Sequence, residues 1–260
     1  MPEADAQVST YAEFALGAVP QVEAFWSVEA GAKPYRVLPD GCIDFIFDLD
    51  RARARVVGTM TSDIVVQLPA GARLFGVRFA PGAVVPFIAA RANELTDTEV
   101  QLTDLTRAAH EHLIERVVAA RDHAQRAREV ARFVHDSRSR LQPADLRVRA
   151  AIGLLRERHC RCSIEAVAEQ LGLSSRQLER LFHEHVGVSP KFTARVVRMQ
   201  AALRLLEAGP RYRGAPALAA GYADEPHLVR EFRALTSLSP RQLVHERRVG
   251  FVQCSEPERV

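Results

Sequence analysis

Two segments of the sequence, about 50 residues apart, each carry charged side chains among apolar residues that recur at helical spacing. The first segment contains Arg176, Glu179 and Arg180, and the second contains Glu225 and Arg230. Arginine can donate two parallel hydrogen bonds to a guanine edge, and glutamate can accept one from cytosine. On a short, capped helix, these residue types suit the reading of base edges in a DNA major groove.

The two segments belong to copies of one weak internal repeat. The first copy runs over residues 166–190, from AVAEQLG to GVSP, and the second over residues 217–240, from ALAAGYA to SLSP. The second copy has one additional residue between its glycine and its phenylalanine. The repeat predicts two similar structural units within one chain.

Each copy predicts a helix-turn-helix unit, whose second helix we call the recognition helix. In the first copy, Gly172 ends an amphipathic helix, and Ser174 with Gln177 forms a capping box for the next helix. In the second copy, Gly221 marks the break and Asp224 the N-cap. The residues predicted to face inward are Leu178, Leu181 and Phe182 in the first recognition helix and Leu228, Phe232 and Leu235 in the second. Those predicted to face outward are Arg176, Glu179, Arg180 and His183 in the first and Glu225, His227, Val229 and Arg230 in the second.

One connecting helix is predicted between the copies. It begins at Ser189-Pro190, runs to about Ala208 and is ended by Gly209-Pro210. At about 1.5 Å per residue this helix is about 30 Å long, close to the ~34 Å turn of B-DNA. Such a rod could hold two recognition helices in successive major-groove segments of one duplex.

The distribution of charge favours a polyanionic partner for the C-terminal part. Residues 1–140 carry 16 Lys and Arg against 19 Asp and Glu, whereas residues 141–250 carry 18 against 11. A solvated basic surface would give the same excess, so the repeat decides between the two interpretations.

Short strands separated by turn signals predict a β-rich N-terminal part. They are expected over residues 42–49, 55–58, 64–68 and 74–79. Helical spacing follows over residues 102–135, and the polar segment 137–143 predicts a linker. We therefore predict an α+β chain of two domains. Residues 1–138 form a β-rich barrel or sandwich with a helical extension, and residues 139–250 form an all-α double helix-turn-helix domain.

The C-terminal block, from about Asp145 to Leu243, resembles the DNA-binding domain of the AraC/XylS family of bacterial transcription regulators. The resemblance rests on AAGY at 219–222, DEPH at 224–227, REF at 230–232 and LSP at 238–240. The N-terminal half is similar to a poorly characterised sensor-like domain of some family members. The matching pieces are LPDGCID at 38–44, VGTMT at 57–61 and GVRFAPG at 76–82.

The helix faces and this resemblance together imply a set of DNA contacts. The set is Ser174, Ser175, Arg176, Gln177, Glu179, Arg180, Glu225, His227, Val229 and Arg230. Ser237 stands where the family usually has glycine, and Glu225-Pro226-His227 replaces small or amide residues. Because Glu225 would meet phosphates unfavourably, we expect weak or unusual binding by the second unit. His227 could instead cap its helix, and Arg230 could instead form an intradomain salt bridge.

Four N-terminal residues are candidates for an effector pocket: Trp26, Asp40, Asp44 and Arg78. Each also has a purely structural interpretation. Trp26 could belong to the core, Asp40 in Pro-Asp-Gly could be a turn residue, and Asp44 and Arg78 could form a buried pair between apolar strands.

No metal site, cofactor or catalytic site is expected. His159, Cys160 and Cys162 lack the Cys-x-x-Cys spacing and second ligand pair of a zinc site. The sequence has no glycine-rich phosphate loop and no Ser/His/Asp arrangement, so we do not expect an enzyme. It has no signal-peptide pattern and no run of the roughly 18–20 apolar residues that span a bilayer. The expected location is the cytoplasm, without a membrane partner.

The expected partners are a double-stranded DNA operator, an unknown small-molecule effector and RNA polymerase. Exposed sheet edges in the N-terminal domain further predict a homodimer. The alternative is a small-molecule-binding module or enzyme with an appended basic nucleic-acid-binding domain, which would bind or turn over a ligand without an operator. A nucleic-acid protein without sequence preference would instead show a steep salt dependence and no specificity.

Overall fold

The computed structural model of the protein describes residues 10–14, 19–105, 109–137, 146–157, 161–209, 215–249 and 252–253. Its strands are β1 (Thr10–Phe14), β2 (Val22–Glu29), β3 (Tyr35–Val37), β4 (Ile43–Asp48), β5 (Arg53–Val57), β6 (Ile64–Val66), β7 (Arg73–Phe79), β8 (Glu99–Gln101) and β9 (Val252–Gln253). An antiparallel sheet has the order β1-β2-β7-β4-β5-β8, and a second sheet has the order β6-β3-β9. The β-rich prediction is confirmed: the described strands form a sandwich-like arrangement, not a closed barrel.

The large sheet separates an aromatic face from a polar face, because successive residues of a strand point to opposite sides. In β4, Phe45 and Phe47 are fully buried on one side, while Asp44 lies on the other. The aromatic face packs against α1 (Ala109–Ala119) and α2 (His123–Ser137), which provide the predicted helical extension after a short 3-10 helix at Leu102–Leu105. The core between them includes Phe25, Phe45, Phe47, Phe75, Phe79, Leu113, Val117, Val130 and Phe133.

The C-terminal part is helical, as predicted. Its helices are α3 (Leu146–Glu157), α4 (Ile164–Gln170), α5 (Ser175–His185), α6 (Pro190–Glu207), α7 (Pro216–Ala219), α8 (Glu225–Thr236) and α9 (Pro240–Val249). One core surrounds Phe182 in the first unit and another surrounds Phe232 in the second, and Phe192 of α6 packs against both. None of the described helices is long and apolar enough to cross a membrane. The predicted linker and the boundary at 138/139 fall in residues 138–145, outside the described residues.

Local capping defines the two recognition helices, α5 and α8, as the sequence predicts. Ser174 Oγ accepts a hydrogen bond from the Gln177 backbone N at 3.3 Å, and Gln177 Oε1 accepts one from the Ser174 N at 2.8 Å. Asp224 Oδ1 accepts from the His227 N at 2.6 Å. Gly172 adopts the left-handed conformation, with φ of +66°, where a side chain would be strained. The connecting helix α6 ends at Glu207, one residue before the predicted end.

The loop between β5 and β6, residues 58–63, joins the N-terminal domain to both helix-turn-helix units. Thr59 Oγ1 donates a buried hydrogen bond of 2.6 Å to the carbonyl of Val186, at the end of α5. The Asp63 N donates to the carbonyl of Leu235, in the last turn of α8, at 3.0 Å. Because the last carbonyls of a helix have no donor within it, one loop supplies donors to both recognition helices.

The segment before β4 inserts into the second unit. Leu38 is 1% exposed and lies in the same core as Met199 and Tyr222. The Gln200 Nε2 of α6 donates to the carbonyl of Pro39 at 2.9 Å. The core of the second unit is therefore completed by a residue of the N-terminal domain.

Replacing Leu38 with alanine should lower the free energy of unfolding by about 2–5 kcal/mol, because it leaves a cavity in the second unit. Chemical denaturation of the full chain measures this change. The control is Leu218→Ala, in α7, whose side chain is exposed and whose loss should cost about 0.5 kcal/mol or less. Equal effects of the two substitutions would contradict the insertion of Leu38.

Candidate nucleic-acid interface and buried charge cluster

The first recognition helix, α5, presents its predicted charged face to solvent. The exposed residues are Ser174, Ser175, Arg176, Gln177, Glu179, Arg180 and His183. Arg180 Nη1 lies 3.8 Å from Glu184 Oε1, an exposed pair that restrains the arginine little. Arg176 forms no ion pair with any described residue. Both guanidinium groups are accessible to phosphate oxygens or base edges.

The second recognition helix, α8, corrects part of the prediction. Glu225 and Arg230 are exposed, but His227 and Val229 are half-buried and do not simply face outward. Val229 packs against the second core, and the His227 ring meets Tyr222 edge-on with centroids 5.3 Å apart. The alternative salt bridge of Arg230 is not formed with any residue in the described part of the chain. Of the residues predicted to contact DNA, α8 thus exposes fewer than α5 does.

Ion pairs between partly buried side chains join α8 to α6. Arg195 Nε donates to Glu231 Oε2 at 2.9 Å, and Arg198 Nη2 lies 3.8 Å from the same oxygen. These side chains are less than a third exposed, so solvent screens the pair only in part. Because Glu231 neighbours Arg230 in the sequence, its pairing sets the rotation at which α8 presents Arg230.

The backbone at Ser237 has the left-handed conformation that favours glycine, the usual residue at this position. Its φ of +56° is left-handed, and Gly187, at the corresponding place of the first copy, has a φ of +92°. Ser237 Oγ donates to Asp63 Oδ1 at 2.9 Å. The serine therefore adds an interdomain hydrogen bond that glycine could not form.

The sequence interpretation missed the interdomain role of Thr59, Asp63 and Leu38. Thr59 lies in the VGTMT segment and Leu38 in the LPDGCID segment, so the available signal was their presence in two short, turn-like segments. Thr96, also missed, donates to the carbonyl of Gly187 at 2.8 Å. Thr59, Asp63 and Thr96 donate to carbonyls at the C-terminal ends of the recognition helices, whereas Leu38 packs into the core of the second unit.

On the polar face of the sheet, the four candidate effector residues lie together. Register places Arg78 of β7 directly opposite Asp44 of β4 and Trp26 of β2 opposite Gly76. A Cβ at Gly76 would lie 1.8 Å from the Trp26 ring, so only glycine lets the indole lie over β7. There, Trp26 Nε1 donates to Asp44 Oδ2 at 2.9 Å.

Arg78 is the centre of a buried charge cluster. Its Nη1 lies 2.9 Å from Glu13 Oε1, and its Nε lies 3.1 Å from Asp40 Oδ2 and 3.6 Å from Asp44 Oδ1. Asp40 Oδ1 also accepts from the Cys42 N at 2.8 Å, the hydrogen bond typical of an aspartate in a turn. Burial raises the pKa of Asp44 to about 7; Arg78 opposes this rise and Asp40 adds to it.

A cavity of about 720 Å³ separates this cluster from α6. Asp40 and Arg78 line it on the sheet side, and Arg198 and Arg204 line it on the helix side. Asp44 and Trp26 stand behind Arg78. Of the four candidate effector residues, two therefore face the cavity and two support them.

No group of three or more His, Cys, Asp or Glu in the described ranges is arranged to hold a metal ion. Cys42 is buried and Cys162 half-buried, and both are free thiols. His159 and Cys160, of the candidate considered from the sequence, lie outside the described residues. Burial, and then Asp40, raises the pKa of the Cys42 thiol, which disfavours the thiolate.

Two family models match separate parts of the chain. Residues 167–246 match a helix-turn-helix domain, and residues 19–101 match a domain of unknown function, DUF6597. The first match covers both recognition helices, and the second covers the β5–β6 loop and most of the large sheet.

Two transcription regulators are similar to part of the chain. An uncharacterized HTH-type transcriptional regulator of Haemophilus influenzae is 34% identical over 93 residues, which are 36% of this chain and 31% of the relative. The HTH-type transcriptional regulator GlxA of Rhizobium meliloti is 37% identical over 78 residues, 30% of this chain and 24% of the relative. The matched regions thus span about a third and a quarter of these relatives.

Solved structures of ToxT from Vibrio cholerae align with most of the chain. The apo structure of a ToxT variant aligns with 91% of this chain and 96% of its own, at 12% identity and a TM-score of 0.46. A structure bound to an unsaturated fatty acid aligns with 94% and 97%, at 9% identity and a TM-score of 0.45. Scores at this level do not establish a shared arrangement of the domains.

Two capped recognition helices joined by α6, together with a sandwich-like N-terminal sheet, define a double helix-turn-helix protein with a β-rich N-terminal domain. The match over 167–246 and the similarity to the two regulators agree with this fold and identify a helix-turn-helix domain in the C-terminal part of the chain.

Replacing Glu231 with glutamine should lower the free energy of unfolding by about 1–3 kcal/mol, because two arginines lose a common carboxylate. The control is Glu184→Gln on α5. Glu184 lies 3.8 Å from the exposed Arg180, so this substitution should lower the free energy of unfolding by about 0–1 kcal/mol. Urea denaturation of both variants measures the difference. A loss for Glu231→Gln no larger than that of the control would contradict the role of Glu231.

Replacing Asp44 with asparagine should change how stability depends on pH. The folded-state pKa of Asp44, about 7, lies above its ordinary value of 3.8, so its stabilising contribution is complete below about pH 4 and is lost as the pH rises to about 7. The Asp44 side chain lies among Arg78, Asp40 and Glu13. Asparagine has nearly the same shape as aspartate but does not ionise.

The free energy of unfolding of Asp44→Asn, relative to the unchanged chain, should therefore rise by more than about 1 kcal/mol between pH 4 and pH 7. Urea denaturation at several pH values measures it, with the exposed Asp104→Asn as control. A difference that stays constant over this range would show that Asp44 is ionised throughout.

Proposed function

We propose that this chain is a sequence-specific DNA-binding transcription regulator whose two recognition helices read successive major-groove segments of a double-stranded operator. The observation that carries this proposal is the exposure of Arg176, Arg180 and Arg230 on helices whose opposite faces are buried. Bidentate contacts from such arginines to guanine would supply base specificity. The activity proposed is binding, not catalysis, and it takes place in the cytoplasm.

Further support comes from where the N-terminal domain makes contact. It touches the C-terminal ends of α5 and α8 and leaves their exposed arginines uncovered. In the proposed complex, Arg176 and Arg180 contact DNA. The same unit also contacts DNA through four residues near the start of α5: Ser174, Ser175, Gln177 and Glu179. The second unit uses Glu225 and Arg230, and the half-buried His227 and Val229 contribute less.

We further propose that a small-molecule effector controls DNA binding from the cavity beside Asp40 and Arg78. A ligand that binds one arrangement of the two domains better than another shifts the population toward it. Contact with RNA polymerase and formation of a homodimer stay predictions from the sequence.

Selection of binding sites from random double-stranded DNA by the full chain tests the function. The proposal expects an enriched sequence with two blocks separated by about one helical turn, roughly 10 base pairs. Enrichment of no sequence, together with a steep salt dependence of binding, would indicate a nucleic-acid protein without specificity.

With the selected operator, Arg180→Ala should weaken specific binding by about 1–3 kcal/mol and relax the preference at one base position. Fluorescence anisotropy on the operator and on single-base variants measures both effects. The control is Arg53→Ala, which removes the same charge from the exposed surface of β5 and should leave base preference unchanged. Unaltered affinity and preference in Arg180→Ala would remove α5 from the interface.

A further inference from the structure

A short run of chain, residues 36–40, extends from β3 to the turn before β4, and we call it the coupling segment. It contacts the second helix-turn-helix unit through the Arg36 side chain, through Leu38 in the core and through the carbonyl of Pro39. At its other end, Asp40 lines the cavity, and its Oδ2 lies 3.1 Å from Arg78 Nε. The coupling segment therefore joins the cavity to the second unit directly.

Arg36 links the N-terminal domain to two helices of the second unit. Its Nε donates to Glu246 Oε1 of α9 at 3.0 Å, and its Nη1 pairs with Asp63 Oδ2. Asp63 Oδ1 in turn accepts from Ser237 Oγ, at the end of α8, at 2.9 Å. The Arg36 and Asp63 side chains are 15% and 4% exposed, so salt screens their pair little. One guanidinium group thus holds α9 directly and the end of α8 through Asp63.

The first helix-turn-helix unit is held to the N-terminal domain by other residues. Thr59 and Thr96 donate to the two carbonyls that follow α5, at 2.6 and 2.8 Å. Arg156 of α3 lies 3.3 Å from Glu23, and both line the cavity, but both are more than a third exposed, so this pair contributes little. Loop 58–63 contacts both units, whereas among the described residues the hydrogen bonds and ion pairs of the coupling segment reach only the second.

The part of α6 that meets the coupling segment also belongs to the second unit. Gln200, whose Nε2 donates to the carbonyl of Pro39 at 2.9 Å, lies between Met199 and Leu203, which are buried in the second core. Ala194, the buried residue that α6 contributes to the first core, lies nearer the start of the helix. A displacement of Pro39 therefore acts on the part of α6 that supports α8.

We propose that the coupling segment controls the second helix-turn-helix unit selectively, so that an effector held at Asp40 changes base reading by α8 and leaves base reading by α5 unchanged. The inference rests on the proposed function, because it assigns the route from the effector site to DNA. A ligand that competes with Arg78 for Asp40 displaces a segment whose remaining interdomain contacts all lie in the second unit. By reciprocity, DNA in contact with α8 alters the affinity of the cavity for its ligand.

The operator selected from random DNA provides the probe, and two substitutions assign its blocks. Arg180→Ala should reduce base preference in the block that α5 reads, and Arg230→Ala in the block that α8 reads. Fluorescence anisotropy on single-base variants of each block then measures the base preference of each unit separately.

Arg36→Gln should reduce base preference in the α8 block by roughly 2- to 30-fold, the range for substitutions in a coupled network, and leave the α5 block unchanged. Glu246→Gln removes one partner of Arg36 from a side chain that is 39% exposed, so it should show the same selectivity with a smaller change. This milder variant keeps the test available if Arg36→Gln does not fold. Asp40→Asn preserves the turn hydrogen bond to the Cys42 N but removes the charge beside Arg78, and it should also change the α8 block alone.

The matched control is Thr96→Val, which removes the hydroxyl that donates to the first unit. It should reduce base preference in the α5 block and leave the α8 block unchanged. A second control, Arg55→Gln, breaks the 3.3 Å pair between Arg55 and Glu99 within the N-terminal domain and should change neither block.

The proposal is overturned if Arg36→Gln and Glu246→Gln change both blocks equally or neither. It is also overturned if Asp40→Asn leaves the α8 block unchanged, or if Thr96→Val changes that block as strongly as Arg36→Gln does.

Hydrogen exchange of the same variants without DNA separates this inference from the proposed function. Faster exchange in Arg36→Gln that is confined to α8 and α9 supports selective control of the second unit, even if selection enriches no sequence and the proposed function fails. Exchange that is unchanged in α8 and α9, or equally accelerated in α5, overturns the inference, and intact operator binding would then leave the regulator in place.

Discussion

Helices α5 and α8 each end with backbone carbonyls whose donors come from a single loop of the N-terminal domain, residues 58–63. Thr59 caps the end of α5 through Val186, and Asp63 meets the last turn of α8 through Leu235. A helix end buried without a donor would be unfavourable, so the two domains are held where these bonds can form. The position of both recognition helices therefore depends on the N-terminal sheet as well as on α6.

Two connections between the helix-turn-helix units follow from this arrangement. One is internal, because Phe192 of α6 packs into both cores. The other passes through the N-terminal domain, where Thr59 and Asp63 are separated by three residues. Leu38 reinforces the second connection by filling the core of the second unit. The N-terminal domain thus contacts α8 through loop 58–63 and contacts the core beneath α8 through Leu38.

Local features of the fold could be predicted from the sequence because their partners are three or four residues apart. The capping box of Ser174 and Gln177 is such a feature, and so is the N-cap at Asp224. The bond between Thr59 and Val186 joins residues 127 positions apart, and no spacing or periodicity indicates it. The apolar strand around Arg78 indicated that this arginine has a buried partner. The strand register is needed to identify Asp44 as one partner, and the three-dimensional fold is needed to identify Glu13 as another. Val229 was misjudged because helical spacing cannot distinguish a half-buried flank from an exposed face.

Loop 58–63 fixes the distance between the two recognition helices. Pulsed electron spin resonance measures that distance directly, with spin labels at His183 on α5 and Arg233 on α8, both exposed, in a full chain whose native cysteines are replaced by alanine. We expect a single narrow distance distribution that broadens when Thr59→Val, which removes the hydroxyl donor to Val186, is combined with Asp63→Pro, which removes the backbone N–H donor to Leu235. An equally narrow distribution in that double variant would show that α6 alone sets the spacing and would contradict the account.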